Sequence, residues 1–297
     1  MKNHALAVLQ AKHWKRSSTL IHPKISHAST DGRRCRRSGE SVFGKMRLRK
    51  EIVTQSSPDG YTLLMMAVTS AINQSLYQNL SFDITKNLAP VALGAKVPNL
   101  LVVTPALPVN NAKDMAAYAR NNPGKVNFAT SGSGTSIHMA GELFKLESKI
   151  DVTKTHFGGS IPALAEIVSG QSQFMFDNMP TALPLVKSGK VKALAISTKE
   201  RSPVLPDVPT MSESGYPGFE VSSWFGLMAP AGTPPEVIAK LNAAVINVMS
   251  KPEIEQKLKS MGATTEGLTP SEFGAFIKKE VDVWRGVVKA SGTSIDD

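Results

Sequence analysis

From about Glu51 onward the chain reads as an α/β protein, and three observations predict it. Strand-like and helix-like patterns alternate with turn residues between them, the arrangement that builds a layered α/β sheet. At three places an apolar strand runs into small residues that open a helix: Thr69 with Ser70, Ser131 to Ser136, and Gly159 with Ser160. Near the C-terminus, Thr233, Pro234 and Glu236, then Thr269, Pro270 and Glu272, have the spacing of an N-cap, a first-turn proline and a capping-box acid. Crossover helices between strands favour parallel pairing.

The elements follow in order. Pro58, Asp59 and Gly60 make a turn, and YTLLMMAV (Tyr61 to Val68) is a buried strand running into Thr69 and Ser70. PVALGA (Pro90 to Ala95) and NLLVV (Asn99 to Val103) predict two further strands. A helix starts near Asn111 and is stopped by Pro123 and Gly124. VNFAT (Val126 to Thr130) alternates as a strand and enters TSGSGTSIH (Thr130 to His138), after which Ile137, Leu143 and Leu146 recur at helical spacing. The strand KTHF leads to Gly158, Gly159 and Ser160, and IPALAEIVSG is a helix. Strand QFMFD ends at Asp177, a short helix runs from Pro180 and Thr181 to Gly189, and VKALAIS is a strand. VPTMSESG predicts a short helix and FEVSSWFGLMAP (Phe219 to Pro230) a long strand. In the last helix Phe273, Phe276, Ile277, Val281 and Trp284 recur every three or four residues, so one face packs on a core.

The 297 residues and 41% apolar content suit one large domain or two smaller ones. The formal charge of +10 is concentrated: residues 1 to 50 hold thirteen of the 34 Lys and Arg and two of the 24 acids, leaving a nearly neutral body. That segment also holds four of the six histidines and the one cysteine, Cys35, within RRCRR. Without interleaved aromatics it is a poor nucleic-acid site, and no nucleic-acid partner is expected. No stretch reaches the roughly 18 apolar residues of a membrane span. ALAVL (Ala5 to Leu9) is too short for the apolar region of a secretory signal.

The glycine turn carries the chemistry. Gly132 and Gly134 let the backbone turn tightly with its N–H groups pointing outward, and the next helix adds unpaired N–H groups and the positive end of its dipole, so a carboxylate or phosphate fits there without a charged side chain. The phosphate-loop, nucleophile-elbow and dinucleotide spacings are missing. His138 and Glu142, four apart, share a helix face; too few further ligands exist for a metal, so a surface or supporting pair is expected. Asp177 ends an apolar strand, where it either lines a crevice or caps the next helix. Trp224 and Phe225 are either cleft wall or core.

Seven stretches together carry a resemblance: PDGYTLL, NQSLY, VALGAKVPNLLVV, NPGKVNFATSGSGTSIHMAGELF, FDNMPTALPLVKSGKVKALAIST, RSPVLPDVPTMSESG and WFGLMAPAGTPP. From about Glu51 to the C-terminus the chain resembles the Bug receptors, the extracytoplasmic solute-binding proteins of tripartite tricarboxylate transporters. The resemblance implies a type II periplasmic-binding-protein fold, two α/β lobes around a ligand cleft. The first lobe would take 51–103 and 224–297, and the second 104–223. It implies a periplasmic monomer that captures a small carboxylate, often through backbone groups and water, for the transporter's membrane components. Neither cofactor nor catalysis is implied. Ligand contacts carried onto this chain are Ser131, Gly132, Thr135, Ser136, Gly159, Ser160 and Asp177 in the second lobe, with Thr69, Ser70 and Asn73 facing them. The alternatives are an enzyme using Asp177 and His138 on a small carboxylate, or a nonfunctional relic.

The departure lies upstream. Family members begin with an export signal, a strand of the type PIRLIVPFPPGG and a segment like NRPGAGG, and residues 1–50 show none of these. The expectation is a first lobe lacking that strand, preceded by a disordered basic segment that arose from a frameshift or misplaced start. Translating the upstream DNA in its other two frames tests this. A basic extension with its own partner would instead bind DNA or anionic lipid in a salt-sensitive way.

Overall fold

The computed structural model describes residues 50–77 and 80–293; the expectations for the basic N-terminal segment fall outside them, Lys50 apart. After a helical segment over 50–54, the strands are β1 Leu64–Ala67, β2 Leu88–Val103, β3 Asn127–Thr130, β4 Thr153–His156, β5 Phe174–Asn178, β6 Lys192–Ile196 and β7 Ser222–Pro230. The helices are α1 Thr69–Leu76, α2 Ala112–Asn121, α3 Ser136–Ser148, α4 Ser160–Ser169, α5 Met179–Lys187, α6 Pro235–Met249, α7 Pro252–Ser260 and α8 Pro270–Ser291.

β2, sixteen residues long, joins two groups of strands. From Leu88 to Pro98 it pairs antiparallel with β7, whose other neighbour is β1. From Asn99 to Val103 it pairs antiparallel with β5, and from Leu100 to Val103 with β6 on its other side. β5 continues to β3 and then β4, both in parallel register. The sheet is therefore mixed, where the helical connections alone predict parallel strands.

The expected strands PVALGA and NLLVV are one strand. Gly94 and Pro98 look like punctuation, but β7 follows the whole length through register shifts between Pro90 and Ala92 and between Leu93 and Ala95. Gly94 lies so close to the other strand that a Cβ there would stand 3.2 Å from the Phe225 carbonyl oxygen. The end of β2 is buried on both faces, which explains its unbroken apolar run. Leu101 and Val103 join the larger core with Phe174, Phe176, Trp224 and the α8 face, whereas Leu100 and Val102 join a second core with Met175, Leu164 and Ala182.

Local signals succeed where a side chain reaches a backbone group. Asn111 accepts from the Asp114 N–H at the start of α2, and Thr269 with Glu272 completes a capping box at α8. Phe273, Ile277, Val281 and Trp284 are the buried face of α8 as expected. Three expectations fail. Thr233 is not an N-cap, because its hydroxyl donates to the Pro230 carbonyl and α6 starts one residue after Pro234. VPTMSESG forms turns rather than a helix, halted at Gly215, whose φ is +92°. On α3, Leu146 is 42% exposed, since the buried face is carried by Ile137, Ala140 and Phe144.

Candidate functional site

The turn before α3 is built to be rigid. Gly132 and Gly134 have φ of +122° and +68°, values open to glycine. Their N–H groups turn inward: Gly132 donates to Thr130 Oγ1 at 3.2 Å and Gly134 to His138 Nδ1 at 3.1 Å. Thr135 is the N-cap, accepting from the His138 N–H at 3.1 Å while donating to the Gly132 carbonyl at 2.9 Å. Ser131 donates to Thr135 at 3.3 Å. The glycine N–H groups read from sequence as anion donors are thus committed internally. The donors left to a ligand are those of Ser136 and Ile137, the first helical residues, whose N–H groups have no intrahelical acceptor.

This turn is also clamped from outside. The Ser136 hydroxyl donates to Ser223 at 2.6 Å and Ser223 to Asn178 Oδ1 at 2.6 Å, which ties α3 to β7 and to the end of β5. Asn73 and Leu76 of α1 press on Gly134 from the other side: a Cβ there would lie 2.7 Å from Asn73 Oδ1 and 2.9 Å from Leu76 Cδ1. Asn73 Oδ1 and Ser133 Oγ are buried without hydrogen-bond partners.

The turn before α4 differs. Added Cβ atoms at Gly158 and Gly159 would meet nothing within 4 Å, and α4 starts without a side-chain cap. Ile161 in its first turn is 79% exposed. Behind this turn stands Asp177, fully buried, with Oδ2 accepting from Thr181 at 2.5 Å and Oδ1 unpartnered. Burial pushes its carboxyl up to about 6, against the opposing pull of the Ser160 and Thr181 hydroxyls and the Asn178 N–H. At α1 the N-terminus is likewise without a side-chain cap, with Thr69 half-buried and Ser70 buried. Among the described residues, neither Thr69 nor Ser70 has a side-chain hydrogen bond to either glycine turn.

The structure therefore groups Asn73 with the α3 turn, and Ser160 with Asp177. Two residues outside the sequence-derived set belong here. Asn99, opposite Asn178 in the β2–β5 register, is completely buried with neither side-chain atom partnered, while its backbone is tied to Ser197 at 2.9 Å in both directions. Ser223 is the link to β7. The available signal was a lone amide heading the apolar run NLLVV and a serine pair before Trp224, which is itself fully buried core.

His138 and Glu142 are both buried rather than at the surface, with Nε2 and Oε1 facing at 3.5 Å. Burial pushes Glu142 up, but His138 and the nearby Lys145 and Lys154 outweigh it and hold the carboxyl below its usual range. Among the described residues His138 pairs with Gly134 and Glu142, and Asp177 with Thr181. A groove of about 630 Å³ lined by Lys96, Glu220, Phe276 and Glu280 contains none of the sequence-derived residues. Among the described residues no cluster of three or more His, Cys, Asp or Glu is placed to hold a metal, and no helix is long and apolar enough to cross a membrane.

Residues 44–293 match the model of the tripartite tricarboxylate transporter family receptor, TctC. The chain belongs to the TctC family. It is 34% identical to the protein BugT of Bordetella pertussis over 247 residues, 82% of this chain and 76% of BugT. Rpa4515 of R. palustris, solved with adipate, superposes with a TM-score of 0.77 at 33% identity over 84% of this chain and 83% of the other. MatC from Rhodopseudomonas palustris, solved with malate, gives 0.74 at 34% over 84% and 85%. The TctC fold is the two-lobed type II periplasmic-binding-protein fold, and the Bug resemblance read from sequence holds.

Proposed function

We propose that this TctC protein captures a small carboxylate between its lobes without chemical turnover and passes it to the membrane components of a tripartite transporter. The first lobe takes 51–103 and 224–297, the second 104–223, with β2 and β7 passing between them. One observation carries the reading: α1 and α4 begin at strand ends with small residues and no side-chain cap, leaving N–H donors and dipole charge for an anion. The adipate and malate bound to its relatives support a dicarboxylate. In this reading the N–H groups at the starts of α3 and α4, Ser136 among them through its backbone, hold one carboxylate together with the Ser160 hydroxyl. Thr69, Ser70 and Asn73 close over it, and Asp177 orients a ligand hydroxyl. In this reading the protein is a periplasmic monomer, and the likeness to the periplasmic binding protein BugD supports the compartment.

Thermal melts of the full chain with malate, adipate and citrate test this. A ligand at one hundred times its Kd adds about 2.7 kcal/mol, a rise of about 5 °C or more in Tm. A cooperative melt that none of the three shifts sinks the proposal. Consumption of a carboxylate on incubation would point to an enzyme instead.

A further inference from the structure

The inward hydrogen bonds of the α3 turn end on two imidazoles that carboxylate capture does not itself need. His138 Nδ1 accepts from the Gly134 N–H at 3.1 Å, so that nitrogen carries no proton, and Nε2 faces Glu142 Oε1 at 3.5 Å. The second route runs from the Gly132 N–H to Thr130 Oγ1 and on to His156 Nδ1 at 2.6 Å. Thr130 Oγ1 thus accepts from Gly132 and shares its other hydrogen bond with His156 Nδ1, whose direction follows the tautomer of that ring. The two rings pack edge to face, centroids 4.8 Å apart. His138 is fully buried, and His156 Nε2 is buried without a partner.

We propose that His138 and His156 are positioning residues of the ligand turn, His138 by accepting the Gly134 N–H directly and His156 by fixing the Thr130 oxygen that accepts the Gly132 N–H, and that loss of the His138 lone pair on protonation re-aims the turn. The proposal rests on the α3 turn being part of the ligand site. A protonated His138 Nδ1 has no lone pair; its N–H would face the Gly134 N–H, and the freed glycine donor would rotate the peptides that aim Ser136 and Ile137. The charged groups facing the pair are Glu142 and Lys145 from α3 and Lys154 from β4, the lysines each 3.6 Å from the Glu142 carboxylate. That carboxylate is shared with two cations, which leaves it a weak counterion for an imidazolium. In agreement, burial first, then His138 and Lys154, lower His156 to about 4, outweighing Glu142. Its neutral form is thus the one the fold accommodates, and acid opposes it.

The experiment has two parts, both on the full chain. The first follows the amide resonances of Gly132 and Gly134 and the imidazole resonances from pH 7.5 to 4 without ligand. The Gly134 amide should move as the His138 ring gains its proton. A Gly134 amide that stays still while that ring titrates overturns the proposal. The second measures malate and adipate binding at pH 7.5 in His138→Ala, His156→Ala, His138→Asn and His156→Asn. The alanine variants should lose at least about tenfold in affinity, roughly one hydrogen bond's worth. The asparagine variants, whose side-chain oxygen takes the place of Nδ1, should recover most of that loss and flatten the pH response of the matching glycine amide. Alanine variants that bind as the parent does also overturn it. If the parent binds neither probe, capture of these acids fails, while the amide titration still decides the positioning role.

Discussion

The turns before α3 and α4 are made from the same parts, two glycines and neighbouring serines between a strand and a helix, but they are held in opposite ways. In the first, Thr135 caps the helix, both glycine N–H groups are bonded, and Asn73, Leu76 and Ser223 crowd it from outside. In the second, a Cβ added at either glycine would meet nothing within 4 Å and no side chain caps the helix. A glycine-rich strand-to-helix turn is therefore not one kind of site. The α3 turn presents a preset surface, and the α4 turn offers open donors in front of a buried acid.

The sharpest way to break this contrast is Gly134→Ala. It places a Cβ against Asn73 and Leu76 at a φ of +68°. It should cost about 3 kcal/mol, seen as a lower denaturant midpoint at unchanged slope. A cost below about 1 kcal/mol would show that the α3 turn is not clamped.

Asp177→Asn tests the acid behind the open turn. A folded value of about 6 against 3.8 means that its contribution is fully present below pH 3.8 and lost as pH rises through 6. Asparagine should therefore be more stable than the parent at pH 8 by about 2 kcal/mol, the difference fading by pH 4. His156 acts oppositely. With its value lowered from 6.5 to about 4, its contribution is full above pH 6.5 and lost as pH falls through 4. Urea melts at pH 4, 6 and 8 separate the two; a pH-independent Asp177→Asn difference would contradict the assignment.

Two smaller comparisons sharpen the contrast. Thr135→Ala removes the α3 cap and should cost about 1 kcal/mol, whereas Ser160→Ala at the uncapped α4 should cost less than about 0.5 kcal/mol while weakening carboxylate binding. Equal losses in stability would erase the distinction between the turns. Gly158→Ala, with open space around it and φ outside the left-handed region, should stay within about 0.5 kcal/mol of the parent in thermal melts.

Where side chains serve their own neighbourhood, the sequence was readable. Asn111 and Thr269 sit just before apolar-periodic runs and cap them, and the α8 face follows its helical spacing. Thr135 carries the same signal, a threonine at a helix start, yet it reads equally as a ligand hydroxyl, and only its bonds to Gly132 and His138 separate the two. Thr233 shows the reverse: the spacing is right, but a nearer carbonyl at Pro230 takes the hydroxyl. Asn99 and Ser223 were not legible as site residues because each meets Asn178 only across strands, from 79 and 45 positions away along the chain.

By itself the sequence determined the alternation of strands and helices, the positions of the glycine turns, the helix caps that act locally, and the family, because each depends on residues within a few positions or on motifs in linear order. The tertiary structure decided three other things. It made β2 one strand, since β7 supplies a continuous ladder past Gly94 and Pro98. It made the sheet mixed, because β2 meets β5, β6 and β7 head to tail. Finally, it assigned the donors: the α3 turn's glycine N–H groups point at Thr130 and His138, whereas the α4 turn faces open space. A backbone N–H is the same in both turns, and what it does is set by which acceptor the fold brings within about 3 Å.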